Sequence, residues 1–285
     1  MSADVQTRIE LRDMEEQDLA EARELSRALN WPHRTADWQF LFDLGTGVVA
    51  EADGAVVGTA MGWRYGAGAA SVGLIIVSPH CQGEGLGRRL MDVLLERLGD
   101  RSVVLNATEE GLPLYRKLGF EFSGRIFQHQ GAAFAVPIAE LQPNERVRPM
   151  GRNDAAAVVE LDRRATGMDR RELMTKLLKT SKGVILARNN EPVGFALFRR
   201  FGRGYAVGPT VAPDRGGAKA LISHWLGSKA GMFCRLDVTE ESGLSGWLDE
   251  LGLPMVGRVT EMRRGPAPTI DPDTRRFSLV SQALG

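Results

Sequence analysis

The sequence predicts a protein of two α+β domains, in which helices alternate with strands that are partly antiparallel. Three observations predict this class. The length of 285 residues suits two domains of ordinary size. Apolar residues follow helical spacing in some segments and strand-like runs in others. The second half of the chain also repeats motifs of the first half in the same order.

The first half begins with a strand, a helix and a hairpin. Ile9 and Leu11 start a short strand, and the spacing of leucine and alanine residues predicts an amphipathic helix over 15–29. Two apolar segments flank Asp53-Gly54, a dipeptide typical of a tight turn between antiparallel strands. These features predict a β-hairpin at that point.

Strands and helices alternate through the rest of the first half. A long apolar strand is predicted over 69–77, and apolar residues at helical spacing predict a helix over 88–98. A strand over 103–106 follows, and a second helix over 112–118 ends at Gly119, the residue type that most often terminates helices.

Matched motifs recur in the second half at a nearly constant distance. Gly47 corresponds to Gly183, an offset of 136, and Val77 corresponds to Val211, an offset of 134. Two further pairs have offsets of 131 and 133: Leu105 with Leu236, and Leu118 with Leu251. Four collinear matches indicate a duplicated domain.

The joint between the repeats falls in a short polar stretch around Pro143. Such proline-containing polar segments are typical of linkers between domains. We therefore predict an N-terminal domain over 1–141 and a C-terminal domain over 145–285.

Composition excludes several classes of protein. The 36 Lys and Arg residues balance 36 Asp and Glu residues, so no basic surplus indicates nucleic-acid binding. Basic pairs such as Arg199-Arg200 are interpreted as solvated surface. Two cysteines and four histidines, in no ligand spacing, predict neither a disulfide framework nor a metal site. The apolar runs are shorter than the ~20 residues that span a bilayer, and the charged N-terminus lacks the apolar segment of a signal peptide. We expect a cytoplasmic protein that does not bind membranes.

A glycine-rich turn, QGEGLG over 82–87, joins the 69–77 strand to the next helix. Glycines at such a junction let the backbone approach a ligand, and the exposed first amides of the helix favour a phosphate group. A Walker A loop would need a Gly-Lys-Ser/Thr ending, and a dinucleotide fingerprint would need its third glycine one position later. A tight turn without a ligand remains the alternative.

The turn resembles motif A of the GNAT superfamily of acyl-CoA N-acyltransferases, because Gln82, Gly85 and Gly87 match its core Q/R-x-x-G-x-G/A. Asn106 at the end of the next strand, and the run YRKLGF from Tyr115, are also similar to features of that superfamily. Each motif alone has moderate specificity, whereas their order and spacing together are specific.

The clear resemblance covers about residues 5–140, and the duplication extends it, more weakly, over the rest of the chain. The whole chain thus resembles the tandem GNAT proteins. This resemblance implies two domains that each contain a mixed, mostly antiparallel twisted sheet flanked by helices.

The resemblance implies that acetyl-CoA is the co-substrate and that no metal is needed. Backbone amides of 82–88 would hold the pyrophosphate, the pantetheine arm would pair with the 74–77 strand segment, and Asn106 would touch that arm. The predicted cofactor-binding residues are Ile75, Val77, Gln82, Gly83, Gly85, Leu86, Gly87, Arg88 and Asn106.

The resemblance also implies two catalytic groups. The Val77 amide would stabilise the oxyanion of the thioester carbonyl, and Tyr115 would donate a proton to the leaving thiolate. A packed core aromatic is the alternative role for Tyr115. The general base stays open, with Glu109, Asp37, His33 or a chain of waters as candidates.

The acceptor is expected to be a primary amine of a small molecule or of a peptide or lysine, and the protein a monomer or homodimer. Candidate acceptor-binding residues cluster after the first helix; these are Trp31, His33, Asp37 and Trp38. The alternative is that the two tryptophans simply cover the core.

The second half departs from the pattern. Its corresponding turn, DRGGAK over 214–219, lacks the motif A spacing, and the position of Tyr115 corresponds to Trp247 or Leu248. We therefore predict a degenerate domain that does not bind CoA. The alternative to an enzyme is a non-catalytic acyl-CoA-binding or regulatory protein.

Overall fold

The computed structural model describes residues 8–285. The first seven residues of the predicted N-terminal domain lie outside the described residues. The prediction that the N-terminus is not a signal peptide rests mostly on these residues.

The first half forms the predicted elements in the predicted order. The bounds are β1 (Ile9–Asp13), α1 (Leu19–Ala28), α2 (Thr35–Phe42), β2 (Thr46–Ala52), β3 (Ala55–Tyr65), β4 (Ala69–Val77), α3 (Leu86–Leu98), β5 (Ser102–Ala107), α4 (Leu112–Lys117) and β6 (Glu121–Gly131). The first helix begins at Leu19 rather than at residue 15, because residues 16–18 form a 3-10 turn. Strand β6 was not predicted.

The second half repeats this order and adds one strand. Its elements are β7 (Glu145–Pro149), α5 (Ala155–Thr166), α6 (Arg171–Thr180), β8 (Lys182–Arg188), β9 (Glu191–Phe201), β10 (Gly204–Ala212), α7 (Arg215–Ser228), β11 (Cys234–Thr239), α8 (Ser245–Glu250), β12 (Met255–Arg264) and β13 (Arg275–Ser278). The α+β class is confirmed.

The repeat extends to individual contacts. Arg12 at the start of the first half makes two hydrogen bonds to the carboxylate of Asp18, of 2.7 and 2.8 Å. Arg148 binds Asp154 in the same way in the second half, with two bonds of 2.7 Å. Each aspartate also accepts a backbone amide three residues before it. The same ion pair therefore fixes the first strand to the first helix in both halves.

The two halves share one 13-stranded sheet because they exchange strands. The strand order is β1-β2-β3-β4-β5-β12-β6-β11-β13-β10-β9-β8-β7. Strand β6 of the first half pairs with β11 and β12 of the second half, and β12 pairs with β5 of the first half. Most neighbours are antiparallel, whereas β4 pairs with β5, and β10 with β11, in parallel. Neither half completes its sheet alone.

Strands β4 and β5 diverge and open an edge in the first half. They pair only over 69–71 and 102–104. Leu74 in β4 has a φ of 53°, and the register with β3 shifts between Thr59 and Met61. The Thr59 hydroxyl donates a 2.7 Å hydrogen bond to the Leu74 carbonyl and holds this bulge. The bulge leaves the end of β4 without a partner on the β5 side.

A core cluster of buried side chains joins the two halves. Met61 and Trp63 of the first half belong to the same cluster as Leu161 and Phe195 of the second half, and all four are at most 4% exposed. No helix within residues 8–285 is both long enough and apolar enough to span a membrane.

Candidate active site

The glycine-rich turn has a backbone conformation that requires glycine. Gly83 has a φ of 86° and Gly85 a φ of 75°, both in the left-handed region that residues with a side chain rarely adopt. A Cβ at either position would meet no atom within 4 Å. Conformation, rather than crowding, therefore explains these two glycines, and the space beside them is open.

The amides of 82–88 form a row of donors at the start of α3. The first hydrogen bond of α3 runs from the Arg89 amide to the Gly85 carbonyl, at 3.1 Å. Within residues 8–285, no carbonyl or side chain accepts a hydrogen bond from the amides of 82–88, and Gly85 provides no side-chain cap. Such amides at the N-terminus of a 13-residue helix are suited to bind phosphate groups.

The open edge of β4 continues this row. The Ser78 amide donates to the Val57 carbonyl of β3, at 2.8 Å. Because successive amides along a strand point to opposite edges, the amides of Val77 and Ile75 point away from β3, toward the opening. The Gln82 side chain donates to the Val77 carbonyl at 3.0 Å and ties the turn to this edge.

The side chains of two other predicted cofactor-binding residues, Leu86 and Arg88, point in different directions from the turn: one is buried and the other is exposed. The Leu86 side chain is 2% exposed and packs in the core, so that only its backbone amide faces the turn. The Arg88 side chain is exposed and lies 3.5 Å from Asp92. A Cβ on Gly87 would lie 3.5 Å from Leu114 and 3.7 Å from Val77. The first turn of α3 thus packs beside both α4 and the end of β4.

Tyr115 on α4 is buried beside this turn. Its ring lies edge-on to Phe120, with ring centroids 6.1 Å apart. Gly111 permits this position, because a Cβ there would come within 2.8 Å of the tyrosine ring. Burial raises the pKa of Tyr115 to about 12. The phenol is therefore protonated at neutral pH, as a proton donor must be.

A cavity of about 210 Å³ lies between the two halves, next to the bulge at Leu74. The first half contributes Trp31 and His33 from the α1–α2 loop and Asn106 from β5. The second half contributes Phe201, Arg235, Arg258 and the segment 281–283. Buried polar atoms without a partner among residues 8–285 occur on three of the lining residues: His33 Nδ1, Asn106 Oδ1 and Ser281 Oγ.

Asn106 contacts the chain's own C-terminal segment. Its side-chain amide donates a 2.8 Å hydrogen bond to the Gln282 carbonyl. The Gln282 side chain in turn donates to Gln128 and to Asp237, at 3.1 and 3.0 Å. Residues of the second half thereby form one wall of the cavity that the first half opens.

Two predicted acceptor residues, Asp37 and Trp38, do not line the cavity. Trp38 is fully buried and donates to the Ser26 hydroxyl at 3.2 Å. Asp37 accepts hydrogen bonds from the Arg34 side chain and backbone, and a 3.0 Å bond from the Gly202 amide. Burial acts to raise the pKa of Asp37, but the bonds from Arg34 and Gly202 together lower it. This carboxylate fastens the α1–α2 loop to the β9–β10 hairpin.

The other two candidates for the general base differ in their position. Glu109 is exposed and forms an ion pair with Arg258, at 3.0 Å. His33 lies on the cavity wall, 5.8 Å from the Phe201 ring between centroids. Burial lowers its pKa to about 4, and Arg235 adds to this effect. The His33 ring is neutral at neutral pH.

The second half fills the equivalent of the open edge with its own chain. Strand β13 lies between β10 and β11, where it pairs Arg276 with Val211, the counterpart of Val77. Asp214 caps α7 by accepting a 2.8 Å hydrogen bond from the Gly217 amide. Helix α8, the counterpart of α4, presents Trp247 and the fully buried Leu248 but no tyrosine. The two halves thus differ at this strand edge, at the helix N-terminus and at the position of Tyr115.

The residues that sequence reasoning missed come mainly from the second half. Phe201, Arg235 and Gln282 line the cavity, although no motif marks them. The interpretation of Arg199-Arg200 as solvated surface was wrong for Arg199, which is 8% exposed. Residues 195–198 beside it are apolar, a run that indicates a strand buried on both faces.

Comparison with known proteins identifies the family. Residues 43–122 and residues 158–277 each match a family described as "Acetyltransferase (GNAT) domain". A protein of Bacillus subtilis (strain 168) named "Uncharacterized N-acetyltransferase YitH" is 29% identical over 219 residues, which cover 75% of this chain and 76% of that protein.

Solved structures share the fold over nearly the whole chain. A putative acetyltransferase from Pyrococcus horikoshii has a TM-score of 0.79 at 20% identity, with 100% of this chain and 99% of that chain covered. A tandem GNAT protein from the clavulanic acid biosynthesis pathway has a TM-score of 0.65 at 16% identity, with 91% and 100% covered.

Residues 8–285 contain no group of three or more His, Cys, Asp or Glu side chains placed to hold a metal ion.

The two family matches fall in the two halves of the duplicated sequence, one on each side of the predicted joint. The chain therefore belongs to the GNAT N-acetyltransferases, as an enzyme with two such domains in tandem.

Proposed function

We propose that this enzyme transfers an acetyl group from acetyl-CoA to a primary amine, by direct attack within a ternary complex in its first half. The row of unpartnered amides over 82–88, continuous with the open edge of β4, carries this proposal. A ligand that has both a phosphate group and an extended arm would use the amides of 82–88 and the open edge of β4 together.

Each part of the site has a role in this reaction. The amides of 82–88 would bind the pyrophosphate, and the edge at Ile75 and Val77 would pair with the pantetheine arm. Acetyl-CoA supplies the thioester. The Val77 amide would donate to the thioester carbonyl oxygen and stabilise the charge that develops there. The amine nitrogen forms a bond to the carbonyl carbon, and the bond from that carbon to sulfur breaks.

Two protons move during the transfer. Tyr115 would give its proton to the departing sulfur and then regain one from solvent; its raised pKa keeps the phenol protonated at neutral pH. The attacking nitrogen loses a proton to solvent. Of the three candidates for the general base, only His33 lines the cavity, and its low pKa makes it a hydrogen-bond partner of the amine rather than a strong base.

Release of free CoA thiol from acetyl-CoA, measured across a panel of amines, tests this proposal. Tyr115→Phe is expected to lower kcat by about 10²-fold or more, because it removes the proton donor, while acetyl-CoA binding measured by calorimetry stays the same. Tyr205→Phe is the matched control, since Tyr205 lies on β10 in the second half, stacked on Phe198. It is expected to change neither quantity.

The opposite pattern would overturn the proposal. If the protein binds acetyl-CoA tightly but turns over none of the amines, the acyl transfer is refuted. If Tyr115→Phe keeps full activity, Tyr115 is a core aromatic and not the proton donor.

A further inference from the structure

Arg199 on β9 is a buried cation that forms no salt bridge among residues 8–285, and the carboxylates of Asp37 and Asp237 act on it only at longer range. Its side chain donates one hydrogen bond, of 2.8 Å, to the Val280 carbonyl, and its Nε has no partner among residues 8–285. Burial lowers its pKa to about 10. A buried charge is costly unless it is paired. The fold therefore keeps at this position a cation that an anion would stabilise.

Arg199 adjoins the cavity between the two halves. Its guanidinium lies 4.6 Å from the centroid of the Phe201 ring, and the Arg235 guanidinium lies 5.5 Å from the same centroid. Phe201 and Arg235 line the cavity, as does Ser281, which follows Val280 after one peptide bond. The positive charge of Arg199 thus lies directly behind the cavity wall.

The other charges near this wall are already compensated. Arg34 binds Asp37, and Arg235 binds Asp237 with two hydrogen bonds of 2.9 Å. Those bonds use Arg235 Nε and Nη2 and leave Nη1 outside the ion pair.

His33 beside these pairs is neutral. The other cation that lines the cavity, Arg258, is exposed and paired with Glu109. Of these arginines, Arg199 is the one that no carboxylate among residues 8–285 binds directly.

We propose that the acceptor amine carries a carboxylate, and that this carboxylate binds in the interdomain cavity against Arg235 and Phe201, with Arg199 supplying the compensating charge. Arg235 Nη1 would donate to the carboxylate oxygens, and the amine would lie toward Leu74 and Asn106. The assignment rests on the proposed acetyl transfer, for which it names the class of acceptor.

The size of the cavity limits the acceptor further. Its volume of about 210 Å³ is below the range of ~300–1,000 Å³ typical of pockets for drug-sized ligands. A free amino acid or a molecule of similar size fits these limits, whereas a lysine within a folded protein would have to place its main chain outside the cavity.

Pairs of acceptors with and without a carboxylate test whether the negative charge of the acceptor contributes to binding. Initial rates of CoA release, expressed per unprotonated amine, are compared for small amino acids and their primary amides, which differ in the carboxylate and in the pKa of the amine. The kcat/KM of each acid is expected to exceed that of its amide by about 10- to 100-fold, the range for a hydrogen bond to a charged group. Amides that react as well as the acids would overturn the proposal.

Arg199→Met isolates the uncompensated charge. It is expected to lower kcat/KM for the acids about tenfold, through KM, and so to reduce the ratio of the rates with acids to those with amides. Arg200→Met is the matched control, because Arg200 is the adjacent exposed residue beside Tyr205. An acid-to-amide ratio that is the same in wild type and Arg199→Met would refute the role of Arg199.

Arg199→Lys gives a second variant, which retains the charge. It is expected to keep most of the preference for acids. Its result decides the matter if Arg199→Met does not fold, since a loss of the preference in the lysine variant would contradict a role based on charge.

Binding of N-acetylated products separates this proposal from the acetyl transfer itself. Thermal-shift titrations with N-acetyl amino acids and their amides require no turnover. Stabilisation by the acids alone, abolished in Arg199→Met, supports the carboxylate site even if no acceptor is acetylated. Turnover restricted to uncharged amines or peptide lysines would refute the carboxylate site while supporting acetyl transfer.

Discussion

The pKa values of Tyr115 and His33 are shifted in opposite directions by the same cause, burial. Burial disfavours the charged form of each, and this raises the pKa of the phenol to about 12 and lowers the pKa of the imidazole to about 4. A phenol is protonated below its pKa and an imidazole is neutral above its pKa. Both side chains therefore stay uncharged through the whole physiological range.

The pH dependence of kcat/KM follows from these two shifts. Between about pH 5 and pH 9 neither side chain titrates, so we expect the rate to rise only as the acceptor amine loses its proton. Rates of CoA release across this range, with two acceptors of different amine pKa, measure the effect. The midpoint is expected to move with the acceptor.

His33→Gln serves as the control, because glutamine keeps hydrogen-bonding groups without a titratable ring. A limb near pH 6.5 that is the same for both acceptors and disappears in His33→Gln would contradict a neutral, buried His33.

Arg199 and Arg200 show how adjacent residues of one type differ in a strand. Successive side chains point to opposite faces of a sheet. Arg200 therefore reaches solvent, with its guanidinium 5.3 Å from the Tyr205 ring centroid, while Arg199 points into the molecule. A pair of like charges in sequence does not indicate that both are solvated when the strand is buried between layers.

Among the secondary-structure elements, the glycine-containing turns before α3 and α7 differ in whether a side chain caps the helix N-terminus. Helix α3 has open amides and no side-chain cap, whereas the Asp214 carboxylate caps α7. Strand β4 ends on an open edge, whereas β13 covers the corresponding edge of β10. In the second half a carboxylate and a strand thus lie where the first half has open amides and an open edge.

This difference predicts one acetyl-CoA per chain. Isothermal titration calorimetry is expected to give a stoichiometry of one. Gly85→Ala is expected to weaken binding about tenfold, because the left-handed conformation costs a residue with a side chain about 1–2 kcal/mol. Gly246→Ala on α8 is the control, as a Cβ there would meet nothing within 4 Å.

Two equivalents of acetyl-CoA bound at saturation would contradict the occlusion by β13. An unchanged affinity in Gly85→Ala would show that the 82–88 turn does not hold the cofactor.

At the scale of the whole molecule, strand exchange makes the two halves interdependent. Strand β6 is enclosed between β11 and β12 of the other half, and β12 reaches across to β5. Trp63 and Phe195 also pack in one shared core. Removing either half would expose strand edges and core side chains of the other.

Thermal unfolding is therefore expected to be a single cooperative transition. Differential scanning calorimetry should give a calorimetric enthalpy equal to the van't Hoff enthalpy, although chains with two domains often fail this test. Two resolved transitions, or a stable and monomeric fragment 1–141, would contradict the interdependence of the halves.

Sequence patterns are sufficient to predict the duplication, the order of most elements and the turn over 82–87. These features depend on local spacing, on glycine conformation and on motifs within one segment. The continuous apolar run was sufficient to predict β4 to its last residue, because a buried strand carries its own signal.

How the halves are joined, and which residues line the cavity between them, depends on the tertiary structure. The exchange of β6 and β12, the filling of the second site by β13 and the burial of Arg199 each depend on residues far apart in the chain. Pairing of strands is chosen by the energy of the whole sheet and core, which no local pattern encodes. The acceptor cavity is for this reason a property of the assembled pair of domains, and neither repeat contains it alone.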